Sequence, residues 1–142
     1  VEPTQGPGAN AEAASQLERS RDSSLLDLQV IARLVEDLGR ESVVDLLDLF
    51  RTESERRRHS IEAAVADGDP AAVCHEAHAL KGSSLTFGAC KLGALALKME
   101  QAGRRGDLDG LAMDLPAIAR LTAETQAALS SIFEEDNRHQ DP

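Results

Sequence analysis

The stretch His75-Glu76-Ala77-His78-Ala79-Leu80-Lys81-Gly82-Ser83-Ser84 concentrates the side chains best suited to chemistry. Two imidazoles stand three residues apart, a lysine follows the second by three and a glycine follows it by four. An imidazole is a nucleophile, a general base and a metal ligand. On a helix turning 100° per residue, Cys74, His75, Lys81, Gly82 and Leu85 all fall within about 60° of His78. Val73, Ala77, Leu80 and Ser84 fall at about 100–160° from it and Phe87 opposite, which marks the buried side. A lysine one turn from the ring would place a positive charge beside a phosphoryl group carried there. A glycine inside a helix costs about 1 kcal/mol against alanine, so it needs a reason. One reason is close contact between helices; the other is clearance that lets a second protein reach the imidazole edge. Cys74, His75 and His78 also form a possible metal-ligand set, although no fourth ligand is evident.

The elements that must position these residues follow from composition and periodicity. The chain has 142 residues, enough for one domain with a single core. It has no Trp or Tyr and three Phe, a composition suited to helices closing on small aliphatic side chains. Net charge is −10, with −5 on the body between residues 23 and 133, and such an acidic body argues against a nucleic-acid partner. The one basic run, Arg56-Arg57-Arg58, reads as a solvated helix face. Cys74 and Cys90 follow no paired spacing and read as reduced thiols, which places the chain in the cytoplasm. No apolar run approaches membrane-spanning length, and no charged-then-apolar leader opens the sequence.

Residues 1–22 are Pro/Gly/Ala-rich and read as a flexible linker or tail; residues 134–142 read as an acidic tail. Between them lie five apolar-periodic segments. Asp27 caps the first, with Leu28, Ile31, Leu34, Val35 and Leu38 on one face and Gly39 as its stop. The second runs from about Glu41 to Ala66 with Val44, Leu47, Phe50, Ile61 and Val65 as its stripe. Asp69 caps the third and Pro70 takes its first position; it ends at about Phe87, before Gly88. The fourth carries Leu92, Leu95, Leu97 and Met99. The fifth runs from about Leu108 to Phe133 with Leu115, Ile118, Leu121, Ala128 and Ile132 inward, bent or broken near Pro116. Short connections between long amphipathic helices imply antiparallel neighbours. The expected fold is all-α: an up-down four-helix bundle with a short extra N-terminal helix across one end.

The pattern His78, Lys81, Gly82, Ser83, Ser84 and Gly88 resembles the His-x-x-Lys-Gly-Ser/Ala-Ser/Ala core of histidine-containing phosphotransfer (HPt) domains of phosphorelays. The resemblance extends over roughly residues 25–106. It implies that His78 rather than His75 accepts the phosphoryl group, that Lys81 supports that group, and that Gly82 leaves room for the partner. Many members carry a Gln or Glu on the next helix that hydrogen-bonds the imidazole, and Glu100 stands at that position; the basic position after it falls on Arg104. Glu100 as a solvated carboxylate paired with Arg104 at i+4 is the open alternative. A carboxylate accepting from Nδ1–H would fix the tautomer and expose Nε2 as the nucleophile.

The same resemblance implies a phosphoryl group taken from the aspartyl-phosphate of a receiver domain and passed to another receiver, within a pathway fed by a hybrid histidine kinase. A receiver would dock over Cys74, His75, Gly82 and Leu85. Lys81-Gly82-Ser83 reverses the order of a phosphate-binding loop, and Asp107–Gly110 lacks the length and glycine placement of a calcium loop. No cofactor and no metal are therefore expected on this chain, and the Mg²⁺ of the transfer would belong to the receiver. The competing readings are a helical adaptor that keeps the bundle without phosphotransfer, and the metal-binding bundle.

Overall fold

The structure, a computed structural model, describes residues 24–140, with side chains through Glu134. The segment 1–22 read as a linker lies outside the described residues. Among the described residues five helices follow one another: α1 (Leu28–Leu38), α2 (Arg40–Ala66), α3 (Pro70–Thr86), α4 (Cys90–Arg105) and α5 (Leu108–Gln140). α2 packs on α3, α3 on α4, α4 on α5, and α5 closes back on α2, with α1 against α2. This is the expected four-helix bundle with its extra N-terminal helix.

The helix boundaries sit where the local signals place them. The Asp27 side chain accepts hydrogen bonds from the Gln29 and Val30 N–H groups at 3.1 and 3.4 Å. The Asp69 side chain accepts from Ala72 N–H at 3.1 Å, with Pro70 in the first turn. α1 is held to the α3–α4 turn because Asp27 N–H donates to the Gly88 carbonyl at 2.7 Å.

The fully buried side chains include Ile61, Val73, Leu80, Leu92, Met99, Leu111 and Ile118, and the Phe50 and Phe87 rings meet at 5.1 Å between centroids. The inward side of α3 is the expected one: Val73, Ala77, Leu80, Ser84 and Phe87 are all buried.

Elsewhere the stripes differ from expectation. In α1, Ile31 is buried and Leu34 and Val35 are half-buried, but Leu28 and Leu38 are exposed, because a helix crossing one end of a bundle contacts it only along its middle. In α2 the buried residues are Val43, Phe50, Ser54, Ile61 and Ala64, while Val44, Leu47 and Val65 flank the core. In α4, Leu95 and Leu97 are only half-buried; Gly93, Ala96 and Gly103 occupy the buried side with Leu92 and Met99. In α5 Ile118 is buried as expected, but the rest of the buried line is Leu111, Thr122, Thr125, Leu129 and Phe133, and the expected Leu115, Leu121, Ala128 and Ile132 are half-buried beside it. Thr122 donates to the Ile118 carbonyl at 2.7 Å, which satisfies its hydroxyl inside the core.

α5 also continues through Pro116 without a break and extends to Gln140, past the expected end at Phe133. The last apolar residue of the period is Phe133, yet no Gly or Pro follows Pro116 before Pro142, so nothing local stops the helix. The Arg56-Arg57-Arg58 run is only in part the expected solvated face: Arg56 is exposed, whereas Arg57 and Arg58 are half-buried. Arg57 bridges Glu53 on its own helix at 2.7 Å and Glu76 on α3 at 2.8 Å, and Arg58 joins Glu55 and Glu62. Neither cysteine is in a disulfide. Among the described residues no helix is long and apolar enough to cross a membrane.

Candidate functional site

α3 and α4 are the most closely apposed pair, and glycine makes that possible. A Cβ on Gly103 would lie 2.8 Å from the Pro70 carbonyl oxygen and 2.9 Å from Cys74 N, both backbone atoms that cannot swing aside. A Cβ on Gly93 would meet Leu85 Cδ2 at 2.9 Å. Gly93, Ala96 and Gly103 thus form the small-residue side of α4 that receives α3. This spacing was readable in the sequence, but the apolar pattern directed attention to the leucines.

The close approach brings Glu100 of α4 under His78 of α3. Glu100 Oε2 lies 2.9 Å from His78 Nδ1 and 3.0 Å from an Arg104 guanidinium nitrogen. Lys81 Nζ lies 3.0 Å from Oε1. That contact is an ion pair rather than a well-angled hydrogen bond, since Oε1 is buried with no hydrogen-bond partner of acceptable geometry. The carboxylate side chain is only 4% exposed, whereas His78 is 67% and Arg104 66% exposed. Lys81 is intermediate at 23%. Glu100 is therefore not a solvated carboxylate. It does pair with Arg104 at i+4, and holds His78 and Lys81 as well.

The electrostatics follow from this arrangement. Burial pushes the Glu100 carboxyl up, but the contacts with Lys81 and His78 outweigh it and hold the group below its usual range. The carboxylate is thus ionised and acts only as an acceptor, so a neutral His78 carries its proton on Nδ1. Nε2 is left as the basic nitrogen of a ring that is mostly in solvent. The result is an oriented imidazole nucleophile over a buried anion flanked by two cations.

The other sequence candidates sort by their angle on α3. Cys74, Lys81 and Leu85, on the α4 side of His78, are half-buried; His75 and Gly82, on the far side, are exposed. Around Gly82 an added Cβ would meet nothing within 4 Å, so no internal contact requires a glycine there. His75 takes no part in the Glu100 cluster. Among the described residues no three His, Cys, Asp or Glu side chains are placed to hold a metal ion, which leaves Cys74, His75 and His78 unassembled as a ligand set. Two features escaped the sequence reading: the Gly103 contact and the Arg57–Glu76 bridge that pins α3 to α2.

Comparison with known proteins gives a consistent picture. The family model described as the Hpt domain matches residues 45–135. The phosphorelay protein LuxU of Vibrio vulnificus, in strains YJ016 and CMCP6, is 30% identical over 107 residues, covering 75% of this chain and 93% of that protein. The crystal structure of histidine-containing phosphotransfer protein B (HptB) from Pseudomonas aeruginosa PAO1 matches with a TM-score of 0.72 at 32% identity, covering 84% of this chain and 99% of that one. A putative histidine-containing phosphotransfer protein from rice shares the fold, with a TM-score of 0.74 at 18% identity over 95% of this chain and 100% of that one.

Proposed function

Because the chain belongs to the Hpt domain family and is a phosphorelay intermediate that carries a phosphoryl group between receivers, we infer that His78 is the residue that carries it. The observation that supports this most directly is the 2.9 Å contact between His78 Nδ1 and the buried Glu100 carboxylate.

In the forward step, the Nε2 lone pair attacks the phosphorus of an aspartyl-phosphate on the donor receiver. The N–P bond forms as the acyl P–O bond breaks, and the electron pair leaves with the aspartate carboxylate. The Nδ1 proton stays where it is, so the phosphorylated ring carries a positive charge, which Glu100 stabilises from below. Transfer to the second receiver reverses these bonds on a new aspartate. The Mg²⁺ that neutralises charge in this chemistry belongs to the receiver, and the chain uses no cofactor of its own. Its part is to orient the nucleophile and to supply fixed charge, which suits a reaction dominated by positioning and electrostatics.

Lys81 and Arg104 are the supporting cations. Arg104 is the more exposed, and Glu100 Oε2 already holds His78, so its guanidinium can turn to the phosphoryl oxygens while Lys81 keeps Oε1 neutralised. Cys74, His75, Gly82 and Leu85 form the ground on which the receiver docks, with the bare Gly82 as the clearance beside the ring. The donors and acceptors are receiver domains in a pathway driven by a hybrid histidine kinase, and the setting is cytoplasmic.

The test is transfer of label from a phosphorylated cognate receiver. His78→Gln should accept none, whereas His75→Gln, altered only at the docking ground, should still become labelled, though more slowly. Label retained on the His78→Gln protein would sink the assignment.

A further inference from the structure

α5 closes the bundle with one side and turns the other to water. Taking Arg120 as the origin, the buried line of α5 lies at about 140–220°, and its exposed residues lie within about 80° of Arg120. Among the nine exposed residues from Ala112 to Ser131 only Arg120 and Glu124 are charged; the others are Ala, Ser, Pro and Met. Over a similar length of α2, residues 41–59, five of nine exposed residues are charged. The outward side of α5 is thus charge-poor in a chain of net charge −10. Met113 on this side is 79% exposed, more than any other large apolar side chain among the described residues. A charge-depleted face with a protruding methionine has the composition of an interface core rather than of a solvated ridge.

The two charges identify what covers it. Arg120 and Glu124 form a loose pair across 3.8 Å, with side chains 61% and 51% exposed, so both are open to a further partner. When two α5 helices run antiparallel about a two-fold axis at position 122, Arg120 of each copy stands level with Glu124 of the other. The same register sets Met113 level with Ser131 of the other copy and brings the small Ala123 and Ala127 close to the middle. A parallel pair would set Arg120 against Arg120 and Glu124 against Glu124. The face is therefore complementary to itself in one orientation. Beside it, Lys98 of α4 is paired with Asp114 at 3.1 Å and Arg51 of α2 with Asp48 at 3.5 Å, so these flanking charges cancel locally. Asp109 and Glu134 are exposed at the two ends of the face. In the antiparallel pair each nears the opposite acid of the other copy about 18 Å from the centre, which opposes association and confines the contact to residues 113–131.

We propose that the outward face of α5 is a homodimer interface, covered by the same face of a second, antiparallel copy, with Arg120 and Glu124 exchanging partners across the two-fold axis. α3 lies diagonally across the bundle from α5, so both copies keep His78 uncovered and the dimer presents two such sites. A contact one helix pair wide is small, which places the dissociation constant on the order of 100 μM.

The test is sedimentation equilibrium of the full chain from about 20 μM to about 1 mM, a range that brackets this affinity. The weight-average mass of the parent should climb from 15.2 kDa toward twice that value. Arg120→Glu and Glu124→Arg each set like charges against one another across the axis, and each alone should keep the single-chain mass throughout. An equimolar mixture of the two should associate at least as tightly as the parent, because one copy then carries two acids at these positions and the other two arginines. The double variant, Arg120→Glu with Glu124→Arg, should regain the parental curve, which separates lost contact from lost folding. A parent that keeps the single-chain mass at every concentration overturns the proposal. Association that survives both single reversals places the contact elsewhere and overturns it equally, and a mixture that fails to associate overturns the antiparallel register on which it rests.

Discussion

Replacing Glu100 with Gln changes the site by one charge and almost no volume. Gln can still offer a carbonyl to His78 Nδ1–H, but it cannot neutralise Lys81 or Arg104. Breaking a buried ion pair by removing one partner costs about 3–5 kcal/mol, and an exposed pair costs under about 1 kcal/mol. Here Glu100 is buried, Lys81 keeps 23% exposure and can turn to water, and Arg104 is mostly in solvent. The substitution also relieves the desolvation of the carboxylate itself. The net loss should be about 1–2 kcal/mol, or about 4–8 °C in Tm for a domain of this size. Its pH dependence identifies the cause. The folded Glu100 carboxyl sits below its ordinary value of 4.5, so its stabilisation is complete above that pH and is lost as pH falls through the folded value. The gap between parent and variant in a circular-dichroism melt should be full at pH 7 and narrow steadily on acidification below 4.5. The yield of phosphohistidine in equilibrium with a phosphorylated receiver should fall about tenfold, the equivalent of about 1.4 kcal/mol lost from the charged ring. A melting gap of constant size from pH 7 to pH 3, with an unchanged phosphohistidine yield, would refute the role of the carboxylate charge.

Three further outcomes follow from the same geometry. Gly82→Gln should melt at or slightly above the parent temperature, a gain of about 0.5 kcal/mol from helix propensity, yet transfer poorly because the new side chain stands beside Nε2; a variant that melts early but transfers well when folded would make Gly82 a helix-contact residue instead. Gly103→Ala should cost about 1–3 kcal/mol in denaturant unfolding, since its Cβ is forced against backbone of α3, and should also slow transfer by shifting Glu100 from His78. Incubation with ATP and Mg²⁺ alone should leave the purified chain unlabelled, and label appearing on His78 without a kinase would contradict the proposed passive role.

Much of this molecule is legible in one dimension because its punctuation is local. Asp27, Gly39, Asp69 with Pro70, Gly88 and Gly106 act within a turn of where they stand, through a side-chain cap or a positive φ, and they set the helix boundaries. The grouping of His78 with Lys81 and Gly82 is equally local, since residues three and four apart share a helix face whatever the helix packs on. The half-buried and exposed halves of that face also follow from angle alone. Tertiary structure decided what depends on two helices at once. Whether Glu100 was a solvated partner of Arg104 or the buried anchor of an imidazole 22 residues away depended on the register of α4 against α3, which Gly93 and Gly103 set by letting the backbones close. The same holds for Arg57, which looks solvated beside its neighbours in sequence and is half-buried because Glu76 meets it from α3. In α5 several adjacent faces are apolar enough to turn inward, and the line through Thr122, Thr125, Leu129 and Phe133 was selected by the shape of the space left by the other three helices. Periodicity ranks faces by hydrophobicity; only packing ranks them by fit, because burial energy depends on contacts with neighbours that the sequence of one helix does not contain.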